Sequence, residues 1–149
     1  MIRPLTLILC LFAIDAPADT PNRSCEMAKD PSMIVAAGGS IAEMLFALGA
    51  GDKLIAVDST ASYLPEAAGL PSVGYVRNLS AEGILALKPS LIIGEHDMGP
   101  MEVMNQISGV DVQIRRIEES HSAEGIVEKF ICIAKILRFE AEAREIIST

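Results

Sequence analysis

Tyr75 and Arg77 stand two residues apart in the stretch SVGYVRNLSAEG, residues 72–83, and Tyr75 is one of only 2 tyrosines in the chain. A free phenol ionises at about pH 10, so it is a poor ligand at neutral pH unless something favours its anion. A neighbouring guanidinium does so, and a ferric ion does so more strongly. Tyrosinate is a known haem-iron ligand, and hydrogen bonds from neighbouring groups tune such ligands. In an irregular turn, positions i and i+2 can share one side. The plainer alternative is an amphipathic surface tyrosine that lays its ring on core and leaves its hydroxyl in water, and spacing alone favours it.

Other residues suited to chemistry are sparse. His96 lies at the carboxyl end of an expected strand beside Asp97 and Met98, whereas His121 adjoins a helix start. A serine–histidine–aspartate set drawn around His96 would make the chain a secreted hydrolase, but no G-x-S-x-G elbow holds a serine. AAGGSIAE, residues 36–43, sets two glycines between a strand and a helix. It lacks both the G-x-G-x-x-G spacing and the lysine of a phosphate loop, so a tight turn with a helix cap accounts for it. Cys10, Cys25 and Cys132 form no C-x-x-C and no Cys/His cluster, which argues against structural zinc. Cys25 and Cys132 are a weak signal for a bridge, and Cys132 reads as a small core residue.

The elements that must position these residues follow from hydrophobic pattern. Short apolar runs at 33–37, 53–58, 90–95 and 112–117 read as strands. Helices are expected after Ser40, with Glu43 completing a capping box, after Ser80, and from Met101 to Ile107. One long helix is expected from Ser122 to about Ile147, with Ile126, Phe130, Ile133 and Leu137 on one face. Residues 59–79 show no sustained period and are broken by Pro65 and Pro71. Strands alternating with helices predict an α/β fold, a parallel sheet flanked by helices. Ligands of such sheets sit beyond the carboxyl ends of the strands. Those ends are Gly38-Gly39, Asp58 to Tyr63, Glu95 to Gly99, and the loop near Tyr75.

With 149 residues, 50% of them apolar, the chain is sized for one domain with a real core. A net charge of −8 and 4% aromatics exclude a nucleic-acid binder, which needs a basic stripe and stacking rings. Residues 1–18 read as a secretory signal: Arg3, an apolar run from Leu5 to Ile14, then Ala16-Pro17-Ala18 as the cleavage site. A polar leader over 19–32 follows.

From about Met33 onward the chain resembles the haemin-binding periplasmic proteins of bacterial ABC haem importers, a branch of the cobalamin, siderophore and haem class of substrate-binding proteins. GG-S-x-x-E, A-L-G-A, V-D-S-T and L-K-P-S-L belong to the wider class, while V-G-Y-x-R-x-L-S-A-E-G marks the haem branch. The resemblance implies two α/β lobes joined by a long helix, of which this chain carries the N-terminal lobe (33–121) and the linker helix (122–149), without a second lobe. It implies a periplasmic, non-enzymatic carrier that captures haem and delivers it to an inner-membrane permease. Tyr75 would be the axial ligand to haem iron, Arg77 its hydrogen-bond partner, Tyr63 a contact at the porphyrin edge, and Glu82 the permease-docking acid. Val76 replaces the usual methionine between the two polar residues. A cobalamin or ferric-siderophore carrier is the nearest alternative. The exposed apolar surface of a lone lobe also predicts self-association.

Overall fold

The computed structural model describes residues 23–149, so the secretory signal expected over residues 1–18 and Cys10 lie outside the described residues. Four strands form one parallel sheet: β1 (Ile34–Ala37), β2 (Leu54–Val57), β5 (Leu91–Glu95) and β6 (Gln113–Ile117), in the order β2-β1-β5-β6. All four apolar runs become strands. β1 is wholly buried and β5 nearly so, as expected for continuous Val/Ile runs covered on both faces. Ile34 and Ala36 face one core with α1 (Gly39–Ala47) and α4 (Ala123–Leu137). Val35 and Ala37 face the other, with α2 (Ala81–Ala86) and α3 (Met101–Ser108). The chain leaves β1 for β2 on one side and returns to β5 on the other, so the strand order reverses between β1 and β5. That reversal opens a crevice at their carboxyl ends, Gly38 and Glu95 to Asp97.

The patternless stretch 59–79 is ordered by turns rather than by period. Helical turns at Ser59–Ala61 and Pro65–Ala67 lead into a two-stranded hairpin, β3 (Gly74–Tyr75) with β4 (Asn78–Leu79). Gly74 sits at φ 102°, and a Cβ there would meet the Asn78 carbonyl oxygen at 2.7 Å, so this turn requires glycine.

Three expectations fail. The long helix is two helices, α4 and α5 (Glu140–Ile147), because Arg138 turns left-handed at φ 65°. The Arg138 and Phe139 amides bond back to the Lys135 and Ala134 carbonyls, which closes α4 with a Schellman turn. Within α4, Ile126 is 55% exposed and Phe130, Ile133, Ala134 and Leu137 make the inner face, so α4 is part of the lobe's core. The Ser40–Glu43 capping box does not form: Gly38 is the N-cap, and Ser40 and Glu43 bond elsewhere. Finally, Cys25 and Cys132 form a disulfide, their Cα atoms 4.9 Å apart. The leader makes this possible by folding as a strap along the free edge of β6. Arg115 Nε donates to the Glu26 carbonyl at 3.1 Å, and the Ala28 amide to the Ile136 carbonyl at 2.9 Å.

Candidate functional site

Val76 is the fixed point of the site. Its side chain is buried in the core that Met98 and Leu79 share. Its amide donates to Asp58 Oδ2 at 3.0 Å, and its carbonyl accepts from the Gly99 amide at 2.9 Å. A residue held by side chain, N–H and C=O leaves its two neighbours no choice of side. Tyr75 and Arg77 therefore both project outward from the turn, and Tyr75 is 45% exposed.

Asp58, at the end of β2, organises this edge. It is 1% exposed and accepts four hydrogen bonds, from the amides of Gly38, Thr60 and Val76 and from the Thr60 hydroxyl. Buried charge is tolerated only when so satisfied. One carboxylate thus ties the carboxyl ends of β1 and β2 to the Tyr75 turn. The signal was an acid at a strand's end followed by Ser-Thr; what concealed its reach was that Gly38 and Val76 are distant in sequence.

A second polar network lies at the end of β5. Lys129, 5% exposed on α4, donates to Glu119 Oε2 at 2.9 Å and to Ser40 Oγ at 2.8 Å, and Ser40 Oγ donates to Glu95 Oε1 at 2.9 Å. Glu95 packs so close to Gly38 that a Cβ there would meet it at 2.7 Å. The N-terminus of α1 is therefore occupied by the protein's own carboxylates, Asp58 on one side and Glu95 on the other. Glu95 thus accounts for Gly38, and the Thr60 carbonyl oxygen, which a Cβ on Gly39 would meet at 2.8 Å, accounts for Gly39, without a bound phosphate.

Arg77 departs from expectation. Its Nε donates to Asp97 Oδ2 at 2.5 Å, and no hydrogen bond joins it to Tyr75. The Asp97 bond and charge, with smaller contributions from Tyr75 and Glu95, hold the guanidinium above its ordinary pKa. Tyr63 lies on the same edge, 61% exposed, its hydroxyl donating to Glu43 Oε2 at 3.1 Å. Burial first, then the Glu43 bond and the charges of Glu43 and Glu95, push its phenol above the usual value. Tyr63 is thus biased against becoming an anion. Glu82 is exposed on the first turn of α2, where Ser80 caps the Gly83 amide at 3.0 Å. His96 is exposed, only its carbonyl being engaged, by Arg116 Nη1 at 3.1 Å, and no serine–histidine pair forms among the described residues. No group of three metal-ligating side chains occurs among them either.

The parallel sheet, with the turn that carries Tyr75 and Arg77 at its carboxyl-end edge, forms one α/β lobe. The family model for periplasmic binding proteins matches residues 34–149, and the chain belongs to that family. It is similar to a periplasmic haem-binding protein from Pseudomonas aeruginosa, with 36% identity and a TM-score of 0.72, covering 76% of this chain and 41% of that one. The haem-binding protein HutB of Vibrio cholerae gives 35% identity and a TM-score of 0.74, over 80% of this chain and 46% of that one. A vitamin B12-binding protein of Yersinia pseudotuberculosis serotype O:1b is 30% identical over 115 residues, 77% of this chain and 38% of its own length. The chain thus spans less than half the length of each.

Proposed function

We propose that the chain is the N-terminal lobe of a periplasmic carrier that captures haem and hands it to an ABC permease. The observation that supports this reading is the anchoring of buried Val76 at the sheet's carboxyl-end edge, with Tyr75 and Arg77 exposed on either side of it. In it, Tyr75 gives a phenolate to the ferric iron of the cargo, and Arg77 stabilises that charge. Tyr63, whose hydroxyl donates to Glu43, contacts the porphyrin edge without ligating. Glu82 is the exposed acid that docks on the permease. Residues 1–18 direct export, with which the Cys25–Cys132 disulfide agrees, since such bonds persist in oxidising compartments. A second lobe would close the other side of the cleft, and this lobe taken by itself associates in pairs around the porphyrin.

Hemin titration tests the reading. Tyr75→Phe is expected to abolish the tyrosinate-to-iron charge-transfer band with far-UV circular dichroism unchanged, while Tyr63→Phe keeps the band. Loss of the band in Tyr63→Phe alone would reverse the assignment. Light scattering during the same titration reports association, and a monomer throughout would remove that element. The B12-binding relatives support a second reading, a corrinoid carrier. Cyanocobalamin binding that outcompetes hemin and survives Tyr75→Phe would favour it.

A further inference from the structure

Anchoring Val76 sets the direction of Arg77 but does not fix its guanidinium, whose side chain is 65% exposed. A long, exposed arginine populates many rotamers, and holding it against one acceptor costs conformational entropy. Among the described residues one bond restrains it, from Nε to Asp97 Oδ2. That bond uses one of five N–H donors and leaves both Nη groups available. The backbone that carries Asp97 is placed independently of Arg77. It lies on the loop after β5, which the hairpin holds through two backbone bonds, Gly99 amide to Val76 carbonyl at 2.9 Å and Leu79 amide to Gly99 carbonyl at 2.8 Å. Its side chain is only 24% exposed, and Oδ1 is buried without a hydrogen-bond partner. A carboxylate of limited exposure on an anchored loop, with Arg77 as the group that hydrogen-bonds it, can grip a mobile guanidinium.

Building on the haem reading, we propose that Asp97 is a positioning residue: it grips Arg77 by Nε and so presents the Nη donors to the phenolate of Tyr75. Carboxylate, guanidinium and phenolate then form a relay of fixed orientation, the arginine counterpart of the carboxylate behind a metal-bound histidine. The Tyr75–Arg77 pair is incomplete without a third residue from another segment.

The test compares hemin affinity in the chain, Asp97→Ala, Asp97→Asn, Arg77→Ala and the Asp97→Ala/Arg77→Ala double variant, each checked for fold by far-UV circular dichroism. In parallel, heteronuclear NMR of the unliganded chain follows the Arg77 Nε–H. Asp97→Ala is expected to weaken hemin binding about 10- to 100-fold, the range for groups that orient a ligand. Asp97→Asn, which keeps an acceptor for Nε, recovers part of that loss. The double variant binds no more weakly than Arg77→Ala, and the slowly exchanging Nε–H signal disappears in Asp97→Ala. Losses that multiply in the double variant, as for independent sites, or an Nε–H signal indifferent to Asp97→Ala, overturn the proposal. If hemin does not bind through Tyr75 at all, the haem reading falls separately, and the NMR arm still decides whether Asp97 holds Arg77.

Discussion

A phenol serves as an anionic ligand only where its surroundings tolerate the anion, and those of Tyr63 oppose it. Glu43 accepts a hydrogen bond from the Tyr63 hydroxyl, and the charges of Glu43 and Glu95 oppose loss of its proton. In a Tyr75→Phe chain, the remaining phenol is expected to ionise above the usual tyrosine range by ultraviolet titration. Glu43→Gln should bring it part of the way down, leaving the contribution of burial. The displacement is small, because Tyr63 is 61% exposed and solvent screens its partners. A titration indifferent to Glu43→Gln would remove this bond as the reason Tyr63 is not the ligand. At this scale the sequence exposed the candidate residues but not what supports them. Tyr75 and Arg77 are exposed, and Val76 is the buried residue between them. The partners that fix them, Asp58 and Asp97, lie on other strands' ends. Only the tertiary register brings them together, and no local pattern reports register.

Among the elements, the four strands were readable because fully buried parallel strands are short apolar runs bounded by turns. The helices were readable where they begin and less so where they end. Periodicity runs on through Arg138 into α5, so nothing apolar announces the break; the chain breaks there because Phe139 turns in to pack on the core and closes the Schellman turn. An arginine at φ 65° bears a Cβ strain that glycine does not. Arg138→Gly is therefore expected to stabilise the lobe by about 1 kcal/mol, read as a higher denaturant midpoint with an unchanged slope. A lower midpoint would mean that the arginine side chain contributes more than its backbone strain costs. The failed capping box has a similar origin. Capping is a local rule, and the first turn of α1 is instead surrounded by carboxylates delivered from β2 and β5.

At the scale of the whole molecule, the least expected feature is the covalent one. Cys25 lies in a leader that reads as irregular, and Cys132 lies on the buried face of α4, so neither position suggested the other. The strap between them is otherwise held by a few edge contacts, Arg115 to Glu26 and the Lys29 amide to Gln113 Oε1 at 2.6 Å among them. Such contacts at an exposed edge fray easily, whereas the strap covers the outer strand and would leave it open to pairing if it lifted. The disulfide joins residues 107 apart, and closing so long a loop removes much of the freedom of the unfolded chain. Its reduction, or Cys25→Ser with Cys132→Ser, is expected to lower stability by about 2–5 kcal/mol in denaturant unfolding. Hydrogen exchange should quicken first in the strap and in β6, and only afterwards in β1 and β5. The Tyr75 turn is anchored through Asp58 and Gly99, away from the strap, so hemin binding should persist in the reduced chain below its unfolding midpoint. An unchanged midpoint on reduction would show that the strap's edge contacts suffice. Loss of hemin binding while β1 and β5 remain protected would instead show that the strap supports the site as well as the fold.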